Sequence, residues 1–111
     1  MLIKSLKVEM MKVKITLIRI ESPTTHRGIP DAMYKTECSF GFIEFKVNTK
    51  MNPAQILFMK QWGPVIKKCW CLRKVTTGAK RYELYIWSDL QTPFKVWLGK
   101  INFQELKEIL C

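Results

Sequence analysis

Five short segments of this chain are rich in β-branched, aromatic and other apolar residues, several of them at every second position, and this composition and spacing are typical of a β-strand. The segments are residues 12–21, 38–47, 67–75, 80–87 and 94–98. Between the second and third segments, and again at the end of the chain, apolar residues recur at the spacing of a helix. Runs of strands with only two helices among them predict an α+β domain.

The longer of the two helices has a complete start signature. Asn52 is suited to cap the helix, Pro53 fits its first position, and Gln55 stands where a capping box needs an amide or a carboxylate. We expect this helix to end at Gly63-Pro64, because proline lacks a backbone donor and disfavours helical backbone before it.

The second helix is predicted to start at Asn102, with Glu105 in the capping-box position. The predicted order is therefore ββαβββα, a mostly antiparallel sheet of about five strands with two short helices packed on one face. Residues 22–36 contain two prolines and a glycine and are interpreted as a long loop. Residues 1–10 fit either a further strand segment or a loose N-terminal extension.

The length of 111 residues is typical of one domain, so we expect residues 1–111 to form a single basic α+β domain. Apolar residues make up 48% of the chain, which is enough for a globular core. No apolar run approaches the roughly 20 residues that span a bilayer, and lysines interrupt the N-terminal segment. These features predict an intracellular protein without a membrane partner.

Charge is the most unusual bulk property of the sequence. The 19 lysines and arginines outnumber the nine acidic residues, for a formal net charge of +10. No acidic residue lies between Phe45 and Tyr82. A field of this sign attracts polyanions, so nucleic acid or an acidic protein is the expected partner.

The segment Phe40-Gly41-Phe42-Ile43-Glu44-Phe45 resembles the core of the octamer motif of the RNA-recognition-motif family. In that family, aromatics at alternate positions project from an open sheet face and stack on bases, which here implies Phe40 and Phe42. Cys38 and Ser39 replace the basic residue and the glycine that open the motif. We interpret the segment as an ordinary aromatic strand with both faces covered.

The hairpin over residues 67–87 interleaves cations with aromatics, a pattern typical of proteins that bind single strands. The lysines and arginines would contact phosphates, and Trp70 would stack on a base if its side of the sheet is exposed. The candidate binding residues are Lys67, Lys68, Trp70, Arg73, Lys74, Lys80 and Arg81. We therefore predict a small non-catalytic nucleic-acid-binding module that favours RNA or single-stranded DNA.

Two other functions fit the same composition. The first is a regulator or inhibitor of the viral, phage or mobile-element type, whose basic and aromatic face docks on an acidic protein. A sheet edge would also allow a homodimer by strand addition. The second is a small ribonuclease that uses His26, the one histidine of the chain, as its acid or base.

No metal site, cofactor or catalytic residue is predicted. The acidic residues are scattered along the sequence, and no pair has the spacing expected of a metal-dependent nuclease. Cys69 and Cys71 are separated by one residue, unlike the spacing of zinc sites, and the four cysteines are interpreted as buried thiols. The sequence also lacks a glycine-rich phosphate loop.

Overall fold

The computed structural model of the chain describes residues 2–20 and 28–111, and these form three helices and one sheet of six strands. The elements are α1 (Leu2–Lys12), β1 (Thr16–Arg19), β2 (Ala32–Lys35), β3 (Phe40–Val47), α2 (Pro53–Ile66), β4 (Cys69–Val75), β5 (Arg81–Ile86), β6 (Lys95–Leu98) and α3 (Phe103–Leu110). A short 3-10 turn at Trp87–Asp89, called the 87–89 turn below, follows β5.

The strands lie in the sheet in their order along the chain, from β1 at one edge to β6 at the other. Only β3 and β4 pair in parallel, and α2 is the crossover between them; the other four pairs are antiparallel. The predicted small α+β fold with a mostly antiparallel sheet is confirmed, with six strands rather than five. The edges β1 and β6 are where the predicted homodimer would pair, and that pairing stays a prediction.

One face of the sheet packs against α1 and α3 and forms the main core. Ile43 and Leu72 contribute from the central strands, Met10 from α1 and Leu106 from α3, all fully buried. On the other face, Phe42 makes edge-on ring contacts with Phe58 of α2 at a centroid separation of 5.2 Å. Because neighbouring residues of a strand point to opposite faces, α2 lies across the sheet from α1 and α3. The helices therefore cover both faces, not one as expected.

The N-terminal segment forms a helix and not a strand segment or a loose extension. Leu6 and Met10 of α1 are buried in the core, and the spacing between them is one helical turn. Leu6, Val8 and Met10 stand at every second position, as in a strand, but Val8 is exposed. The helix is favoured because Leu6 and Met10 pack with Ile15 and the central sheet. The local sequence, whose spacing fits both a strand and a helix, does not reveal these contacts.

The helix α2 begins as predicted and ends later than predicted. The side chain of Asn52 accepts a hydrogen bond from the Gln55 N–H, and Gln55 completes the capping box. The helix continues through Pro64 to Ile66 and ends at Lys67, whose φ of 62° is left-handed and whose N–H donates to the Gly63 carbonyl. Pro64 removes only one backbone donor near the end of the helix, so the last turn survives.

The predicted 22–36 loop contains a strand. β2 occupies Ala32–Lys35 and pairs with β3, with Ala32 opposite Ile43. Its burial alternates, with Ala32 and Tyr34 in the core. Residues 22–27 of that predicted loop, which include His26, and residue 21 at the end of the first predicted strand lie outside the described residues.

The cysteines differ from the prediction in one pair. Cys38 and Cys111 form a disulfide across a Cα separation of 5.5 Å, which fastens the end of α3 to the turn before β3. Cys69 and Cys71 are buried free thiols, as expected. No helix in the described part of the chain has the length and apolar character needed to cross a membrane.

Candidate active site

Two carboxylates that are distant in the sequence meet at the junction of β2 and β3. The antiparallel register sets Ala32 opposite Ile43, so the preceding residue, Asp31, lies beside Glu44. The Asp31 N–H donates to Glu44 Oε1 at 2.8 Å, and the Phe45 N–H donates to Asp31 Oδ2 at 2.9 Å. Each acid thus binds the other's strand, and this reciprocity fixes both side chains.

The loop before Asp31 packs closely against the start of α2. Gly28 has a φ of +94°, and a Cβ at this position would lie 2.3 Å from the Ala54 carbonyl oxygen. A side chain larger than hydrogen therefore does not fit between the loop and the helix. The Ile20 N–H donates to the Asp31 carbonyl at 2.8 Å, which holds the other side of the same segment.

Two further polar side chains complete the cluster around Glu44. Gln55 Nε2 donates to Glu44 Oε2 at 2.7 Å, while Gln55 Oε1 accepts from the Asn52 N–H as part of the helix cap. Lys46 lies two residues along β3 on the same face, with its Nζ 3.8 Å from Glu44 Oε2. The Lys46 side chain is 17% exposed, whereas the side chain of Glu44 beside it is 3% exposed.

Burial and the neighbouring charge both act on Glu44. Desolvation by burial is the largest cause and the negative charge of Asp31 the second, and they raise the pKa of Glu44 to about 7. A buried carboxylate beside a second one favours a bound cation, because a cation offsets the repulsion between the two charges. The described residues contain no group of three or more histidine, cysteine or acidic side chains placed to hold a metal ion.

The site therefore offers two carboxylates rather than a closed metal cage. Mg²⁺ takes oxygen ligands, keeps several waters, and is commonly bound through one or two carboxylates together with substrate phosphates. The carboxylate oxygens of Asp31 and Glu44 are ligands of the kind that this ion takes. They do not fit a structural zinc site, which needs four nitrogen or sulfur ligands.

A cleft of about 750 Å³ adjoins this cluster on the α2 face of the sheet. Cys71 and Arg73 line the cleft and are the register partners of Glu44 and Lys46 on the neighbouring strand. Its other walls are α2, the segment before α2, β5 and the 87–89 turn. We call it the basic cleft, and the lining residues important below are Lys50, Lys60, Arg73, Tyr85, Trp87 and Asp89.

A second buried carboxylate, that of Glu83, holds the guanidinium of Arg73 in the floor of this cleft. Glu83 accepts from Tyr85 Oη at 2.6 Å and from Arg81 Nε at 2.7 Å, and its Oε1 lies 3.4 Å from Arg73 Nη1. Arg73 Nη2 also donates to the Asn48 carbonyl at 3.1 Å. The guanidinium of Arg73 is therefore held in one orientation, with the side chain 19% exposed.

The residues predicted to bind nucleic acid lie on different sides of the sheet. Trp70 is 3% exposed in the core, where its Nε1 donates to Tyr34 Oη at 3.1 Å, so stacking on a base does not fit its position. Lys74 lies on the same side as Trp70, over the Tyr82 ring. Arg73 is the member of the predicted set that lines the basic cleft.

The remaining predicted cations have separate positions. Lys67 ends α2, and Lys68 Nζ donates to the Cys111 carbonyl at 3.0 Å. Arg81 binds Glu83, and Lys80 is exposed before β5. Nucleic-acid contacts from these residues stay a prediction, although the structure does not gather them into one surface.

The carboxylate pair was missed because β2 was interpreted as loop. Without β2 there is no register to bring Asp31 to Glu44, and the acidic residues look scattered. Two signals were present in the sequence: a lone acid inside the apolar run of β3, and the short apolar run of Ala32, Met33 and Tyr34 before a polar turn.

No family model and no curated protein matches the chain. Among solved structures, the chain is similar to Hjc of Archaeoglobus fulgidus, a Holliday junction resolvase from an archaeal hyperthermophile. The TM-score is 0.64 at 14% sequence identity, and the alignment covers 97% of this chain and 96% of that one. At this sequence identity, the likeness shows that the two proteins share a fold.

This comparison corrects two predictions. The non-catalytic binding module and the absence of enzyme activity are both contradicted, because the similar structure is that of a resolvase. Of the predicted link to nucleic acid, the comparison supports the fold, which is also that of a Holliday junction resolvase, whereas a preference for RNA, a viral or phage origin and docking on an acidic protein receive no support. The ribonuclease alternative depended on His26, which lies outside the described residues.

Proposed function

We propose that this protein is a divalent-metal-dependent nuclease that cleaves phosphodiester bonds in DNA. The observation that carries the proposal is the Asp31–Glu44 carboxylate pair, with the partly exposed Lys46 beside it and a cleft with cationic walls next to it. DNA is favoured as the substrate because the solved structure with the same fold is a Holliday junction resolvase.

Each residue of the cluster has a distinct task. Asp31 and Glu44 would hold Mg²⁺, which supplies Lewis-acid polarisation of the phosphate and a lowered pKa for bound water. Lys46 presents a positive charge where negative charge develops on the phosphoryl oxygens during in-line attack. Gln55 keeps Glu44 in position by a 2.7 Å hydrogen bond, and its own position is fixed by the capping box of α2.

The test is cleavage of a fluorescently labelled four-way DNA junction and of a linear duplex, with MgCl₂ and with EDTA. We expect cleavage in Mg²⁺, none in EDTA, and a loss on the order of 100-fold or more in Asp31→Asn, Glu44→Gln and Lys46→Ala, the range for removing one group that stabilises a transition-state charge. Glu108→Gln and Lys100→Ala, at exposed positions, are the matched controls and should keep wild-type rates.

Circular dichroism and melting temperature show whether each variant is folded. A folded Asp31→Asn variant that cleaves as fast as the wild type would overturn the proposal, as would a wild-type protein that cleaves neither substrate in Mg²⁺ or Mn²⁺.

A further inference from the structure

We infer that the basic cleft is a binding site for one unpaired nucleotide of the substrate strand, with its base stacked on Trp87 and its flanking phosphates on Lys50, Lys60 and Arg73. The inference deepens the proposed nuclease function, on which it rests. It specifies a strand with an unpaired base next to the scissile phosphate.

The position of Trp87 carries the first step. A Cβ on Gly63 would lie 2.5 Å from the indole ring, so one face of Trp87 rests directly on the backbone of α2. Trp87 also lines the basic cleft. A tryptophan with one face fixed on backbone and the ring at a cleft wall is a preorganised stacking surface for a base.

The charges of the cleft carry the second step. Lys50 and Lys60 are exposed, and neither makes an ion pair with an acidic side chain in the described part of the chain. Arg73 supplies a third cation from the floor. Against these three cations the described lining residues include one acidic side chain, Asp89, whose Oδ1 accepts from the N–H groups of Gln91 and Thr92 at 3.1 and 3.2 Å.

The size and place of the cleft carry the third step. A volume of about 750 Å³ lies in the range of sites for small organic ligands, and a double helix is far too wide to enter it. Cys71 and Arg73 are beside Glu44 and Lys46 in the sheet, so a nucleotide in the cleft is a neighbour of the phosphate at the carboxylate pair. A base in the cleft therefore has to be unpaired or flipped out of its helix.

The test measures binding without cleavage, by fluorescence anisotropy of a labelled 12-nucleotide single strand and of the matched blunt duplex, both in EDTA. Trp87→Leu is expected to weaken binding of the single strand about tenfold, the effect of losing one stacked base. Trp87→Phe should keep most of the affinity, because it keeps an aromatic ring. Binding of the duplex should change less than about twofold in either variant.

Trp62→Leu is the matched control. Trp62 is another partly exposed tryptophan, 46% exposed on α2, and it is not part of the cleft lining. Its replacement should leave single-strand affinity unchanged. Lys60→Ala should make the dependence of log affinity on log salt shallower by about 0.7, the slope for one phosphate contact on a single strand.

Unchanged single-strand binding in a folded Trp87→Leu protein overturns the inference, as does an equal loss in Trp62→Leu. Because binding is measured in EDTA and cleavage separately in Mg²⁺, the two proposals fail independently. If the wild type cleaves in Mg²⁺ but Trp87→Leu leaves single-strand binding unchanged, the nucleotide site is wrong and the nuclease proposal stands. If Trp87→Leu weakens single-strand binding but no preparation of the protein cleaves DNA, the nuclease proposal is wrong and the nucleotide site stands.

Discussion

Glu83 shows how a single buried carboxylate organises one side of the molecule. It is 6% exposed and receives hydrogen bonds from Tyr85 and Arg81, with Arg73 at ion-pair distance. Desolvation alone would raise the pKa of Glu83, but these hydrogen bonds and the two arginine charges outweigh it, and the pKa is lowered. The Glu83 carboxylate is therefore charged in the folded protein, and it holds the Arg73 guanidinium in the floor of the basic cleft.

Glu83→Gln should destabilise the protein by about 2 kcal/mol at pH 7, the scale of hydrogen bonds to a charged group. The pKa of Glu83 is lower in the folded than in the unfolded protein. Its stabilising contribution is therefore complete above the unfolded pKa near 4.5 and is lost as the pH falls through the folded value. The difference between the wild-type and variant free energies of unfolding should therefore shrink progressively as the pH falls below 4.5.

Urea unfolding at pH values from 3 to 8 measures this difference. Glu108→Gln, at an exposed position of α3, is the control and should change stability by less than about 0.5 kcal/mol at every pH. A Glu83→Gln difference that is the same at pH 3.5 and pH 7 would show that the charge of Glu83 contributes nothing.

At the scale of elements, the contact between α2 and the 87–89 turn depends on one glycine. Gly63 is buried inside α2, where glycine costs about 1 kcal/mol relative to alanine in helix propensity. Gly63→Ala improves that propensity, but its Cβ would lie 2.5 Å from the Trp87 ring. Since the neighbour is an aromatic ring and not a flexible side-chain end, the turn has to move, and we expect a net loss of roughly 1–3 kcal/mol.

Chemical denaturation and near-ultraviolet circular dichroism, which reports on tryptophan environments, measure both effects of Gly63→Ala. Gln61→Ala, an exposed substitution on the same helix, should leave both signals near the wild type. An alanine variant as stable as the wild type, with an unchanged tryptophan signal, would mean that the 87–89 turn is not held by this contact.

The elements also show what local pattern does and does not determine. The cap at Asn52, the hairpin of β4 and β5 and the aromatic β3 follow from residues within one element, and each was predicted. The helix α1 and the strand β2 were missed because each has a short or mixed pattern and gains its stability from distant packing partners. The Asp31–Glu44 pair depends on the register of β2, so it was missed together with that strand.

On the scale of the whole molecule, the Cys38–Cys111 disulfide closes a long stretch of chain. The two cysteines are separated by 73 residues, and the link ties the last residue of the chain to the turn that precedes β3. In the chain-entropy account, closing a loop of this length disfavours the unfolded state by roughly 4 kcal/mol. Tyr34 Oη and Ser39 Oγ donate to the Leu110 carbonyl, at 3.1 and 2.6 Å, and hold the same corner.

Reduction of the disulfide should therefore lower the free energy of unfolding of the wild-type protein by up to about 4 kcal/mol. It should leave the free energy of unfolding of Cys111→Ser unchanged, because that variant already lacks the disulfide. In the folded protein, burial raises the pKa of Cys69 to about 11 and of Cys71 to about 12, so neither thiol attacks the disulfide near neutral pH before the chain unfolds. Urea unfolding with and without dithiothreitol measures the difference for both proteins. Equal stability of the oxidised and reduced wild type would mean that the hydrogen bonds at the Leu110 carbonyl and the packing of α3 hold this corner without the disulfide.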